Sequence, residues 1–178
     1  MVARTVRSPR AQQIVAAARS VLEAEGRDTL TMRRLGDELG IRAPSLYKHF
    51  PDKAAVEVAL VEEALAEVGE ILHAAVAEPA GALTPVESLL LAYRRYGLAH
   101  PHLYRLATSG PLARESLPPG LDEWAGEPFF LATGEPHRAQ ALWSLAHGMV
   151  ILEIDGRYRD GAEVDQTWHA AAAVFQQA

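Results

Sequence analysis

The sequence predicts an all-α protein of about nine helices, a three-helix N-terminal unit followed by a larger helical body. Apolar residues recur at three- and four-residue spacing in almost every segment, and no segment alternates apolar and polar residues as a half-buried strand would. Ser-Pro, Thr-Pro, Gly and Gly-Pro signals punctuate these runs where helices start and stop.

The elements follow in order. Ser8 caps a first helix with Pro9 at its first position, where a missing N–H costs nothing; Ile14, Ala17, Ala18, Val21 and Leu22 face inward and Gly26 ends the run. Thr31 opens a short second helix with Met32, Leu35 and Leu39 inward, and Gly40 closes it. Ile41 leads into a third helix from Pro44 to about His49. Asp52 caps a long fourth helix over residues 52–77, with Val61, Leu65, Val68, Leu72 and Val76 as its expected apolar stripe. Thr84-Pro85-Val86-Glu87 is a capping box, and Leu89, Leu90, Tyr93 and Gly97 follow on one face. His100-Pro101 marks a stop or kink before a short helix through Tyr104 and Leu106, which Gly110-Pro111 breaks. Residues 117–135, rich in proline, read as a loop, a short helix and another loop. From Pro136 to about Gly156 the chain is apolar nearly all round, so this helix needs cover on several sides. A last helix is expected from about Ala162 to Gln177, with Val164, Trp168, Ala171, Ala172 and Phe175 on one face.

Composition bounds the function. With 178 residues, 49% of them hydrophobic, the chain can build a sizeable core. The absence of cysteine excludes disulfides, thiolate zinc sites and cysteine nucleophiles. No apolar run approaches the roughly 18 residues of a membrane span, and the basic N-terminus has no apolar stretch behind it. The expectation is a cytoplasmic protein with no membrane partner. Its net charge of -6 is uneven. Residues 1–53 hold ten Lys/Arg against six Asp/Glu, and residues 54–178 hold seven against seventeen. A basic end on an acidic body repels phosphate everywhere but at one face.

That basic end has the logic of a helix-turn-helix. Two short helices meet at a tight turn at Gly40, and Gly36 is small where they must cross closely. Leu35, Leu39, Ile41, Leu46 and Phe50 supply a small core, which leaves Arg33, Arg42, Ser45, Tyr47 and Lys48 free to face a groove. Lys53, at the start of the next helix, can reach a phosphate.

Over about residues 9–65 the chain resembles the tetracycline-repressor (TetR) family, in the runs "TMRRLGDELGI" and "APSLYKHFPDKAAV" and in the long connecting helix. The resemblance implies a DNA-binding domain over 1–53 and a ligand-binding and dimerisation domain over 54–178. It implies that Thr31 caps its helix and touches a phosphate, and that Arg33 approaches the backbone or a base edge. Arg42, Ala43, Pro44, Ser45 and Lys48 would lie at the major groove, with Tyr47, His49 and Lys53 on phosphates. Ala43 and Pro44 can offer only apolar contact, as to a thymine methyl, so Arg42 and Lys48 are the better hydrogen-bond readers. Arg4, Arg7 and Arg10 read equally as a loose tail or a DNA-contacting arm; Arg19 and Arg27 read as solvated charges.

In the second half, Trp143-x-x-x-His147-Gly148, with Tyr96, His100 and Tyr104 upstream, resembles the Trp-x-x-x-His-Gly type of C-terminal domain found in some TetR regulators. This implies an internal ligand pocket and a homodimer formed by the last two helices. Leu145, Leu152, Trp168, Ala172 and Phe175 are the expected dimer residues. Large rings with polar tips concentrate here, so Tyr93, Tyr96, Tyr104, Trp124, Phe129, Phe130, Trp143, His147 and Met149 are the ligand-site candidates. The expected effector is a small hydrophobic or aromatic molecule, with Tyr93 and His147 orienting it. It would act by releasing a repressor from a palindromic DNA operator.

Other functions have weaker support. His100, His102, His137, His147 and His169 show no i, i+4 zinc spacing, so no metal or other cofactor is expected. Ser144 and His147 share a helix face but lack an acidic orienter or a glycine elbow, so no catalytic residue is assigned and no enzyme is expected.

Overall fold

The structure is a computed structural model and describes residues 5–159 and 163–176. Among these the protein is all helical, with no strand. The helices are α1 (Pro9–Glu25), α2 (Met32–Glu38), α3 (Ala43–Leu46), α4 (Lys53–Ala77), α5 (Pro85–Ala99), α6 (Pro101–Thr108), α7 (Leu121–Thr133), α8 (Pro136–Ile154) and α9 (Val164–Gln176). A 3₁₀ turn lies at Arg114–Ser116. No helix among the described residues is long and apolar enough to cross a membrane. Arg4, Ala162 and Gln177, to which the sequence reading also extends, lie outside the described residues.

The local start signals act as expected. Ser8 Oγ accepts from Ala11 N at 3.2 Å, Thr31 Oγ1 from Arg34 N at 3.0 Å, and Asp52 Oδ1 from Ala55 N at 2.8 Å. Thr84 and Glu87 close the capping box, Glu87 Oε2 accepting from Thr84 N at 2.9 Å and Thr84 Oγ1 from Glu87 N at 3.3 Å.

The chain forms two compact units. The first joins residues up to Ala66 with His100–Leu121, so the boundary expected at residue 53 falls inside it. Its core holds Ile14, Val15, Ala18, Leu22, Leu30, Leu35, Leu46, Leu60 and Leu103. α6 packs on α1. His100 at the head of α6 makes no side-chain cap, and Glu23 of α1 supplies it instead, accepting from Leu103 N at 3.1 Å. The second unit, Glu67–Ala99 with Asp122–Ala178, packs α5 against α8 and α9. Leu89, Leu90, Leu142, Ala146, Val150 and Trp168 are buried there.

Three expectations need correction. α3 is a single turn ending at Leu46, and residues 47–49 continue as a hydrogen-bonded turn, His49 N donating to Leu46 O at 2.9 Å. Residues 121–133 form one continuous helix with Pro128 inside it. Proline has no N–H for the Trp124 carbonyl one turn back, and His73 Nε2 on α4 donates to that oxygen at 3.0 Å, so the helix survives its proline. On α4 the buried face runs through Val56, Ala59, Leu60, Ala64, Ala66 and Leu72, while Val61, Leu65, Val68 and Val76 are half-buried. Small residues set that face: a Cβ on Gly69 would stand 2.4 Å from Trp124 Cζ3, so the ring fills the space a side chain would need.

Candidate functional site

The turn between α2 and α3 is built from its glycines. Gly40 has φ +63°, a left-handed conformation that favours glycine. A Cβ on Gly36 would lie 2.9 Å from the Ile41 carbonyl oxygen, and Ile41 N donates to Gly36 O at 2.9 Å. The backbones therefore touch where a side chain would part them. Leu46 and Phe50 point into the core and pin α3 down. Arg42, Pro44, Ser45, Tyr47, Lys48 and His49 are left exposed, with Ala43 half-buried. Thr31 and Arg33 are exposed on the α2 side. The Thr31 oxygen is occupied as a cap, but its hydroxyl proton remains available for a phosphate.

The charges separate into spent and unspent. Arg34 pairs with Glu25 at 2.5 Å and Glu38 at 2.9 Å. Glu25 is held below the usual carboxylate range, first by its hydrogen bond from Arg34. Arg27 forks onto Glu57 at 2.9 and 3.0 Å, and Lys53 Nζ donates to Arg27 O at 2.9 Å and lies 3.4 Å from the same Glu57. Burial pushes the Glu57 carboxyl up, but its Arg27 hydrogen bond and neighbouring cations outweigh that and lower it. Arg7 is taken up by Glu62. Arg33 on α2, Arg42 at the start of α3 and Lys48 just after it are exposed and have no ion-pair partner among the described residues. Lys53, expected on a phosphate, is engaged by the Arg27 carbonyl and Glu57.

The second unit sorts the remaining candidates. Tyr93, Tyr96, Phe129 and Met149 are buried, with the Tyr93 and Phe129 rings edge to face at 5.5 Å. Trp124 is half-buried and stacks on His73 at 4.8 Å. His147 is half-buried on α8, and burial alone lowers its pKa, so the ring favours its neutral form. Tyr104 is buried too, but on α6 in the first unit. Phe130 and Trp143 are exposed, against the expectation that they line an internal pocket. Each falls on the outer side of its helix, because the inward positions are taken by Phe129 on α7 and by Leu142 and Ala146 on α8.

The dimer candidates divide as well. Leu152 is exposed, and Leu145 and Phe175 are half-buried. Trp168, 1% exposed, and Ala172 are interior to the protomer, so the periodicity that marked them reports the core and no outer surface. Trp168 Nε1 donates to Glu153 at 3.1 Å. The outer half of α8 carries Ala141, Leu145, Gly148 and Leu152 in one row, and a Cβ on Gly148 would meet nothing within 4 Å of its own chain. Among the described residues no three His, Asp or Glu side chains converge as metal ligands. Sequence reasoning missed Glu62 altogether, since nothing in Val61-Glu62-Glu63 separates the buried carboxylate from its neighbour.

A glycine-turned pair of short helices with exposed, unpaired cations at the second of them is a helix-turn-helix. The chain belongs to the TetR family. The family described as bacterial regulatory proteins, tetR family, matches residues 14–60, and the tetracyclin repressor-like C-terminal domain matches 86–175. An uncharacterized HTH-type transcriptional regulator of Mycobacterium tuberculosis is 30% identical over 167 residues, 82% of this chain and 70% of that protein. The class A tetracycline repressor protein of Escherichia coli is 44% identical over 54 residues, 30% of this chain and 25% of that protein. Among solved structures, a protein of unknown function from Rhodococcus sp. RHA1 superposes with a TM-score of 0.78 at 26% identity, covering 95% of this chain and 94% of that one.

Proposed function

We propose that this chain is a homodimeric cytoplasmic repressor that binds a palindromic operator and leaves it when a small hydrophobic or aromatic molecule binds the second unit. The observation that carries the DNA part is the α3 face, where Arg42 and Lys48 stay unpaired while Arg27 and Arg34 are neutralised. Unpaired cations in a fixed frame are what phosphate and base contacts require. Arg42 and Lys48 read bases; Thr31, Tyr47, His49 and, after exchanging partners, Lys53 hold phosphates.

The outer row of α8 supports the dimer. Leu145, Gly148 and Leu152 form an apolar strip with a glycine at its centre, where a second helix could approach closely. Two copies of α3 would then enter successive major grooves about one helical turn apart. Trp143, exposed on α8, lies on the side of that helix opposite the strip and is left out of both the dimer row and the pocket. Tyr93, Tyr96, Phe129 and Met149, with Trp124 at the edge, remain the effector candidates. The class A relative is a tetracycline repressor by name, which supports reading this chain as a repressor; the ring-rich second unit supports an effector of aromatic or lipophilic type. An effector can release DNA only by binding more tightly to the conformation whose two heads are wrongly spaced. α4, which runs through both units, is the lever.

The test is binding to the DNA flanking the protein's own gene, measured against salt. Lys48→Ala is expected to reduce discrimination between operator and random duplex. Tyr47→Ala is expected to weaken both alike and to leave base preference intact. Leu152→Asp is expected to give monomers in sedimentation and to lose operator binding. Normal binding by a Tyr47→Ala, Lys48→Ala double variant overturns the α3 reading.

A further inference from the structure

Glu62 is 3% exposed on α4, and a carboxylate is almost never so buried without partners. Both of its oxygens are in use. Oε1 accepts from Thr5 N at 2.7 Å, and Oε2 accepts from the Arg7 guanidinium. Between these two contacts Val6 points the other way and is 98% exposed, as side chains alternate along an extended segment. The same segment is fastened on its other side: Gln12 Nε2 donates to Arg7 O at 3.1 Å, and Ser8 caps α1. Residues 5–8 are thus a strap tied to α4 and to the start of α1. An open cleft of about 650 Å³ has the strap on one wall and His49, Phe50, Pro51 and Asp52 on another. The strap therefore borders the segment proposed to meet phosphate.

We propose that Glu62 is a positioning residue for DNA binding: its buried carboxylate ties the N-terminal strap to α4 and withholds the Arg7 charge from DNA phosphates. The proposal rests on the DNA-binding reading above. By this tie α1, which frames the helix-turn-helix, and the first turns of α4 move as one body. Arg7 neutralises Glu62 and adds nothing to counterion release. A guanidinium this close to the DNA-facing segment would otherwise be a strong phosphate ligand that recognises no sequence.

Counterion release makes the proposal countable. The slope of log K against log[salt] changes by about 0.9 for each phosphate neutralised. Full-length wild type, Arg7→Ala, Glu62→Gln and the double variant are titrated onto one duplex by fluorescence anisotropy at several salt concentrations. Arg7→Ala is expected to leave the slope at the wild-type value while lowering Tm. Glu62→Gln is expected to steepen the slope by about one contact, because Arg7 is released. The double variant is expected to return to the wild-type slope, a result that loss of fold stability alone would not produce. A slope flattened by about one contact in Arg7→Ala makes Arg7 a phosphate ligand and overturns the proposal, as does an unchanged slope in a folded Glu62→Gln. If Glu62→Gln fails to fold, the Arg7→Ala slope decides alone. A wild-type protein that binds no duplex at any salt overturns the DNA reading itself.

Discussion

Arg94 of α5 forks onto the Glu153 carboxylate of α8, with nitrogen–oxygen distances of 2.6, 2.9 and 3.2 Å. The same guanidinium reaches Asp165 of α9 at 2.6 Å and lies 5.6 Å from the centre of the Trp168 ring. Three helices of the second unit meet on this pair. The hydrogen bond to Glu153 raises the Arg94 pKa, so the guanidinium stays charged at any working pH. Removing Glu153 leaves a largely covered guanidinium with only the exposed Asp165 carboxylate to balance it. Glu153→Ala is expected to cost about 3 kcal/mol in urea unfolding. Asp165, with its side chain 81% exposed, is expected to cost under about 1 kcal/mol as Asp165→Ala. Equal costs for the two would remove the central role given to Glu153.

Gly69→Ala sets two effects against each other. Helix propensity alone predicts a gain of about 1 kcal/mol. The new Cβ, however, would stand 2.4 and 2.8 Å from Trp124 ring atoms, and the ring is held by its stack on His73. Overpacking of this kind costs about 1–3 kcal/mol, so the variant is expected to be less stable than wild type. A smaller residue at 124 should turn the same substitution into a gain. Thermal unfolding of Gly69→Ala with and without Trp124→Leu checks both signs.

The His73 bond to the Trp124 carbonyl exists because Pro128 cannot fill it. His73→Ala is expected to cost about 1 kcal/mol by leaving that carbonyl unpaired. In a Pro128→Ala background the residue 128 N–H can donate to it, and the same histidine deletion should cost less. A double-mutant cycle with strictly additive energies would contradict the link.

Glu87 gives α5 a pH-dependent start. The Thr84 backbone N–H holds its carboxyl below the ordinary value of 4.5, and the Thr84 hydroxyl adds to this. The folded pKa is depressed, so the unfolded chain binds more protons in the window between the two values. The contribution is therefore complete above pH 4.5 and fades as pH falls through the lowered folded value. Glu87→Gln is expected to be less stable than wild type near neutrality and to converge with it in acid. A stability gap that stays constant with pH would show that the cap does not titrate.

Much of this was legible in the sequence where the physics is local. Ser8, Thr31, Asp52 and Thr84 cap helices because an oxygen two or three residues before a free N–H needs no distant partner. Gly36 and Gly40 mark the turn because a Cβ at 36 would strike the Ile41 carbonyl and because position 40 takes a left-handed φ that favours glycine. Leu46 and Phe50 were separable from Arg42, Tyr47 and Lys48 because burial and exposure alternate with the helical period.

Helical period also marked Trp168 and Ala172 as apolar-face residues, but period alone does not say what covers a face. Their own protomer does, through the packing of α5 and α8 on α9. The proline-rich stretch 117–135 read as loops around a short helix because a missing N–H is local, while the histidine that satisfies the carbonyl left over by Pro128 comes 51 residues earlier in the chain. Arg7 looked the same as any cation of a basic tail until Glu62, 55 residues on, was found to hold it. The sequence by itself thus determined most of the helices, their caps, the turn at Gly40 and which residues around α3 are exposed, all set by neighbours within a turn or two. Only the tertiary structure decided which charges are already spent, which apolar faces are already covered and which broken backbone bonds are repaired, because in each case the deciding partner is distant along the chain.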